Sequence, residues 1–581
     1  MANFIRQRAY DLAMNSTNDT MTDAQACYQA MKSHDARFDG RFFVAVSSTR
    51  IYCRPVCRVK IPKFENCRFF DLAAQAESHG YRPCMRCRPE LAPRSLPWTT
   101  QDASSTLALQ AARWLDEPAD CHGRNPDTPS ISQLATHLGV SDRHVRRIFE
   151  AHFGISPLQY LQTRRLLTAK QLLTDTDLPI AHIAVSSGFG SVRRFSDAFL
   201  THYRLNPSQL RKTARGSDSR SNIRSDTTKN ASGLKPNAAA AYCSVKLSYR
   251  PPYDSQWMLD FFRKRQLNTT EFIALQTNNT SASWTFSLQY GTELYTGWLS
   301  AEFLADQPTV LLKVSDSLRD VLPQVIRQVR ALLDLDADPM AINAVLKNSF
   351  ESPSVDFAGL RVPGCLNGFE LAVRAILGQQ VTVAAGRTFV QRLVDTFGRP
   401  IETPFPGLTR LFPTAEVLAA ASGEALGQLG IVKQRQAAIV ALAKAVVSKE
   451  LYLYPGVKIE DTMAKLRALP GVGDWTAQYI AMRALRWPDA FVAGDVALHK
   501  AMGLLNCEPK LSTAKAAAAA LFPICARAVF SRWVFRWRCL TIPSLPKASP
   551  LAAAKTSAVG NSRVKPGKGV SMGRPNASTT R

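Results

Sequence analysis

Cys53-Arg-Pro-Val-Cys57 and Cys84-Met-Arg-Cys87 form two tight cysteine pairs, 26 residues apart, in a chain of formal net charge +26. Two such pairs can close a tetrahedral four-sulfur site, and thiolates suit Zn²⁺. Arg50, Arg54, Arg58, Lys60, Lys63, Arg82, Arg86 and Arg88 surround them. A zinc thiolate site in a basic surround reads as a DNA-facing module; on spacing alone a purely structural zinc knot takes the larger share. A second group of this kind lies far along the chain. Pro470-Gly471-Val472-Gly473 joins two helical runs, and 22 residues after Gly473 comes Asp495, in Phe491-Val-Ala-Gly-Asp-Val-Ala-Leu-His499. Glycines in such a hairpin let backbone N–H groups approach a phosphate at the start of the following helix. Contacts of that kind anchor DNA without reading its sequence. An Asp after a Gly is by itself a common turn or cap residue; the hairpin at this separation makes Asp495 a candidate catalytic carboxylate.

The chain has 581 residues, so three or four domains are expected rather than one core. Lys and Arg number 72 against 46 acidic residues, which points to a polyanionic partner, with nucleic acid first. Twelve cysteines, scattered outside the two pairs, fit a reducing cytosol and not a disulfide scaffold. No apolar run approaches the length of a membrane span, and the N-terminus lacks the apolar core of a signal peptide. Residues 1–20 read as an unstructured leader, with Met21 as a possible start.

The middle of the chain reads as two helix-turn-helix units. Ile131 to Leu138 has helical apolar spacing, Gly139 and Val140 make a turn, and Ser141 caps the next helix. On that helix Arg143, His144, Arg146 and Arg147 line the exposed side while Val145, Ile148 and Phe149 face inward, as a helix entering a major groove requires. Ile180 to Phe189, a turn at Gly190 and Ser191, and a helix from Val192 to Phe199 bearing Arg193 and Arg194 repeat the arrangement. A linker helix, Leu158 to Leu173, joins the two. A basic helical bundle with a solvated face is the bland alternative; two units at this separation speak against it. Residues 214–240 have almost no large apolar side chain and read as a flexible linker.

Gly40 to Cys57 and Gly80-Tyr-Arg-Pro-Cys84-Met-Arg-Cys87-Arg-Pro-Glu90 closely resemble the zinc domain of the Ada family of DNA-alkylation sensors, over roughly residues 35–95. The resemblance implies that Cys53 is both a zinc ligand and the acceptor of a methyl group from a DNA phosphotriester, with Cys57, Cys84 and Cys87 as the other ligands. Zinc keeps a cysteine as thiolate at neutral pH, so such a nucleophile needs no separate base. Methylation converts the thiolate to a neutral thioether and lowers repulsion from phosphate, a covalent switch toward higher DNA affinity. Residues 103–213, with Gly188-Phe189, Phe195 and Phe199, resemble the AraC-type DNA-binding domain.

The hairpin and Asp495, with Tyr249-Arg-Pro-Pro-Tyr253, Trp257 to Phe262, Leu360 to Glu370 and Arg374 to Val381, resemble the AlkA-like alkylbase branch of helix-hairpin-helix DNA glycosylases, over about residues 242–521. By that resemblance Asp495 is the catalytic aspartate, Trp475 and Tyr479 line the base pocket, and Gln380 is the wedge that fills the space left by a flipped nucleotide. Lyase relatives have a lysine where Trp475 stands, so a monofunctional glycosylase is expected. Core packing is the competing role for Trp475 and Tyr479. An alkylated purine is already cationic and leaves without a general acid; a carboxylate stabilises the oxocarbenium sugar and positions water. Aromatic faces favour the cationic base. The match decays after Ala516–Ala520, residues 542–581 read as a disordered basic tail, and no Pro-Cys-His-Arg stretch of an O6-alkylguanine repair domain is found.

The expected fold is therefore multidomain, mainly α with α+β parts. A zinc methyl-acceptor domain spans 21–97, a double helix-turn-helix domain 103–213, an AlkA N-terminal-like α+β domain 241–355 and a helix-hairpin-helix glycosylase domain 356–541. The expected function is excision of alkylated purines such as 3-methyladenine by a chain that also senses methylphosphotriesters and regulates transcription. The alternative is a DNA-binding regulator with an inactive glycosylase half. The expected cofactor is Zn²⁺ and the partner double-stranded DNA, with RNA polymerase a possible second. The chain is expected to be monomeric, bacterial, cytoplasmic and nucleoid-associated.

Overall fold

Phe42 to Val46 alternate apolar residues to two sides of one strand, and each side finds a small core. The computed structural model describes residues 24–93, 103–116, 131–217, 241–276, 279–343, 359–487 and 490–495. The expected leader, most of the linker and the C-terminal segment lie outside these residues. Strands β1 (Phe43–Val46), β2 (Ile51–Cys53), β3 (Cys67–Phe70) and β4 (Arg82–Pro83) form a sheet in the order β3-β1-β2-β4. Phe42 and Val44 pack with Cys27, Ala30 and Met31 of helix α1 (Ala24–Lys32). Phe43 and Ala45 pack on the other side with Tyr52, Tyr81 and helix α2 (Ala73–Ser78).

Helices α3 (Ala103–Asp116), α4 (Ile131–Leu138) and α5 (Asp142–Phe153) build the first helix-turn-helix unit, and α7 (Ile180–Ser186) and α8 (Val192–Tyr203) the second. Helix α6 (Pro157–Asp175) joins them, opened by a capping box between Ser156 and Gln159. The turns sit where the sequence places glycines: Gly139 and Gly188 adopt φ of +70° and +83°. Ser141 and Ser191 cap their helices through backbone N–H groups of His144 and Arg194. Helix α9 (Pro207–Ser217) closes the domain and runs past residue 213, so the segment expected to begin a flexible linker is helical for its first four residues.

Strands β5 (Tyr242–Ser248), β6 (Glu271–Gln276), β7 (Asn279–Tyr290), β8 (Glu293–Phe303) and β9 (Thr309–Ser315) pair antiparallel in the order β5-β9-β8-β7-β6. Helices α10 (Ser255–Arg263) and α11 (Leu322–Leu332) contribute Trp257, Phe261, Val325 and Val329 to the core shared with this sheet. The helical part that follows comprises α12 (Gly368–Leu377), α13 (Val383–Phe397), the short α14 (Ala415–Ala419) and α15 (Gly423–Gln428), α16 (Lys433–Val447), α17 (Ile459–Ala468) and α18 (Asp474–Arg483). One continuous apolar core runs from the second helix-turn-helix unit through the sheet into these helices.

Buried polar links join the modules. Lys170 of α6 pairs with Glu90, both 1% exposed in their side chains, and Arg88 pairs with Asp175 at the end of the same helix. Arg250, fully buried, donates from Nε to the Asp39 carbonyl at 2.7 Å, from Nη2 to the Pro93 carbonyl at 3.1 Å and from Nη1 to the Asp336 carbonyl at 2.9 Å. A guanidinium with several donors in fixed directions suits such a junction of carbonyls. Among the described residues, no helix is long and apolar enough to cross a membrane.

Candidate functional sites: a four-cysteine centre and a nucleobase pocket

The end of β2 delivers Cys53, the turn after it Cys57, and the turn after β4 delivers Cys84 and Cys87. Parallel pairing of β2 with β4 sets the two cysteine pairs side by side. The four Sγ atoms lie within 4.8 Å of one another, with Cys57 and Cys84 sulfurs 4.0 Å apart. A zinc–sulfur bond of about 2.3 Å gives a tetrahedral edge of about 3.8 Å, so four thiolates gathered this closely fit Zn²⁺. Cys53, Cys57 and Cys84 are buried and Cys87 is partly exposed. The backbone N–H of Arg54 donates to Cys87 Sγ at 3.3 Å, and Arg54 Nη1 to the Cys87 carbonyl at 3.1 Å. Arg54 Nε meets Asp39 Oδ1 at 2.8 Å, so this basic neighbour is a buried structural brace and not a free phosphate contact. Arg88, next to Cys87, has φ of +56° and braces Glu90 and Asp175.

Behind the sheet, Glu77 accepts from Tyr52 Oη at 2.9 Å and from Thr163 Oγ1 at 2.8 Å, across the boundary between the zinc module and α6. Burial pushes its carboxyl up to about 7, against the opposing hydrogen bonds and Lys170. Nothing in the sequence pattern marks this residue.

On α5, Arg143, Arg146 and Arg147 are exposed and His144 is half-buried; on α8, Arg193 and Arg194 are exposed, while Val145, Ile148, Phe149, Phe195 and Phe199 are buried. Each basic set therefore lies on the outer face, as expected.

The helix-hairpin-helix is α17, the turn Pro470 to Gly473, and α18. Gly471 has φ of +72°, a conformation that favours glycine. Gly473 has ordinary backbone angles and open space where a Cβ would stand; it caps α18 without a side chain, leaving the first N–H groups of the helix bare. Arg467 and Asp474 pair across the turn with both side chains about half exposed.

Helix α18 presents Trp475 and Tyr479 with ring centroids 5.1 Å apart and planes 9° apart, a stacked pair. Trp475 Nε1 donates to Asp495 Oδ2 at 3.0 Å, and Asp495 is 8% exposed. Arg483, one turn on, donates to the Tyr479 hydroxyl at 2.5 Å and to the Pro363 and Gly364 carbonyls at 3.0 and 2.8 Å. These residues open on a cavity of about 350 Å³, lined also by Arg265, Trp284 and Phe286 from the preceding sheet domain. Burial brings the Arg265 guanidinium down to about 10. Glu271 and Glu370 share Arg374 at the cavity wall, at 2.8 and 2.5 Å. Among the described residues, no lysine lines the cavity. Gln380 stands at a partly strained position, φ +52°, between α12 and α13. Arg483 was legible as the residue four after Tyr479 on the same helical face; Arg265 and the Trp475–Asp495 bond depend on tertiary contacts.

Four family descriptions match successive parts of the chain. They are the metal binding domain of Ada (residues 26–90), a helix-turn-helix domain (134–213), the AlkA N-terminal domain (244–367) and the HhH-GPD superfamily base excision DNA repair protein (373–526). The chain is 35% identical to a probable bifunctional transcriptional activator/DNA repair enzyme AlkA of Mycobacterium tuberculosis, over 82% of this chain and 90% of that protein. The chain belongs to the fused Ada–AlkA family.

Two further relatives each match one half of this Ada–AlkA protein. DNA-3-methyladenine glycosylase 2 of Escherichia coli is 33% identical over 43% of this chain and 83% of its own length. The bifunctional transcriptional activator/DNA repair enzyme AdaA of Bacillus subtilis is 27% identical over 36% of this chain and 92% of its own length. The Ada–AlkA chain is thus a DNA-binding protein with a zinc site, a helix-turn-helix domain and a DNA glycosylase domain.

Proposed function

We propose that the chain excises alkylated purines from DNA by monofunctional glycosidic hydrolysis at Asp495, while Cys53 receives methyl groups from phosphotriesters and tunes transcriptional activation. The observation that supports the enzymatic reading most directly is a largely buried carboxylate, held by the Trp475 indole, beside a stacked aromatic pair in a cavity of about 350 Å³. Trp475 and Tyr479 take the cationic base on their faces, each good contact worth ~0.5–2 kcal/mol. Gln380 holds the gap in the duplex, and the bare N–H groups around Gly471 and Gly473 grip a phosphate. Asp495 faces the sugar, stabilises the oxocarbenium charge and orients water. The absence of a cavity lysine among the described residues supports hydrolysis without strand cleavage.

Zinc held by Cys53, Cys57, Cys84 and Cys87 would keep Cys53 as a thiolate at neutral pH. Cys53 Sγ attacks the phosphotriester methyl carbon, the S–C bond forms as the C–O bond breaks, and the phosphate leaves as a diester anion. Arg143, His144, Arg146, Arg147, Arg193 and Arg194 then hold promoter DNA. The domain limits follow the order of modules: zinc module, helix-turn-helix pair, sheet domain and helical glycosylase core. The protein works as a monomer in the cytoplasm, at the nucleoid, where RNA polymerase is its transcriptional partner. Incubation with duplex DNA containing 3-methyladenine or 7-methylguanine tests the enzymatic reading: free base and alkali-labile sites are expected. Their absence, with DNA binding intact, supports the regulator alone.

A further inference from the structure

Gln379 is the residue before the proposed wedge, and its side-chain amide bonds within the protein. Nε2 donates to the Gly471 carbonyl at 2.9 Å and to Thr476 Oγ1 at 2.9 Å. Its own backbone carbonyl accepts from Arg435 Nη2 of α16 at 2.5 Å. Three parts of the glycosylase half therefore meet at one amide group: the Gln380 wedge, the phosphate-gripping turn at Gly471, and α18 through Thr476, the neighbour of Trp475. Thr476 is 2% exposed and so is held by its packing, and the Gly471 turn lies beside α16, where an added Cβ would stand 3.5 Å from Ala438 and 3.6 Å from Gln434. Gln380 holds a left-handed conformation that a non-glycine residue adopts only where its surroundings impose it.

We infer that Gln379 is the positioning residue that locks the Gln380 wedge to the DNA-gripping hairpin, so that phosphate capture and eviction of the base occur as one rigid-body event. The amide NH₂ supplies two donors to two acceptors. A thioether offers none, and a carboxylate would face the Gly471 carbonyl with like partial charge. A wedge fixed to the hairpin enters the duplex at a set depth when the hairpin binds; a loosened wedge leaves the full unstacking cost on the lesion. The inference rests on the glycosylase reading for its purpose, but flipping can be measured without cleavage.

The test uses the full chain and the Gln379→Met variant, of similar length and apolar. The probe is a duplex with 2-aminopurine either paired with thymine or opposite an abasic analogue, where the base is already loosely stacked. Fluorescence of 2-aminopurine reports flipping. The unmutated chain should flip both. Gln379→Met should flip the paired base at least tenfold more slowly, and the base opposite the abasic analogue within about twofold of the unmutated rate, with unchanged thermal melting and hairpin-dependent DNA affinity. Thr476→Val, which removes one acceptor and keeps shape, should show the same pattern more weakly. Equal slowing on both duplexes, or no slowing on the paired one, overturns the inference. Intact flipping without base release by the unmutated chain counts against the glycosylase reading alone.

Discussion

Trp475 Nε1 and Asp495 Oδ2 are 3.0 Å apart, so a ring that lines the cavity also orients the carboxylate beside it. A hydrogen bond to a charged group contributes about 1.5–3 kcal/mol. In the proposed function the indole would join recognition to chemistry through two of its properties, its face and its N–H.

Trp475→Phe separates these properties. The face remains and the donor is lost. Single-turnover base release should fall by about tenfold or more, given the value of a charged hydrogen bond, while affinity for an abasic product duplex should change little. A loss of affinity with unchanged release would mean that the ring, not the N–H, is what matters.

Cys84→Ser should leave the chain without zinc and with its N-terminal module unfolded, since small metal modules draw their stability from the ion. Metal analysis and limited proteolysis report both. Full zinc occupancy would contradict the four-cysteine assignment.

Exposure to methylphosphotriester DNA should add a single methyl group to Cys53, located by peptide mass spectrometry, and raise specific DNA affinity while a steep salt dependence remains. A methyl group on Cys57, Cys84 or Cys87, or none, would count against the sensor.

Glu77 should give the zinc-module interface a pH dependence. Its folded-state value of about 7 lies above the ordinary 4.5, so the folded state binds the extra proton. That contribution is complete below about 4.5 and is lost as pH rises through 7, at up to ~1.4 kcal/mol per pH unit. Tyr52, Thr163, Tyr203 and Lys170 face the carboxyl, and His202 Nδ1 lies 3.7 Å from it. Glu77→Gln should flatten the melting temperature between about pH 5 and 7, the window between the unfolded and folded values. An unchanged slope would place the titration elsewhere.

Local pattern carried much of the architecture. The turn glycines at 139 and 471, the serine cap at 141 and the two cysteine spacings each fix a backbone event within a few residues, and the structure places them as expected; the second turn instead starts earlier than the expected Gly190, at Gly188, and Ser191 caps the following helix. Trp475 and Tyr479 were readable as one face because four residues make about a helical turn. Partners distant in sequence were not readable. In the sequence Arg54 was one of several basic residues around the cysteines, yet it braces Asp39 and Cys87. Arg250 looked like part of a motif, yet it clasps carbonyls from the zinc module some 200 positions earlier. Glu77 and Gln379 matter through contacts that only the packing of separate helices creates.

Asp495→Asn is the most direct measurement. The substitution keeps the shape and a hydrogen-bonding oxygen beside Trp475 and removes the charge, which acts mainly on the transition state. On duplex DNA carrying 7-methylguanine, the unmutated chain should release the base and leave a site that breaks only after alkali. The variant should bind the same duplex with nearly unchanged affinity and release base at least ~10²-fold more slowly. Undiminished release by the variant, or strand breakage without alkali by the unmutated chain, would contradict a monofunctional glycosylase centred on Asp495.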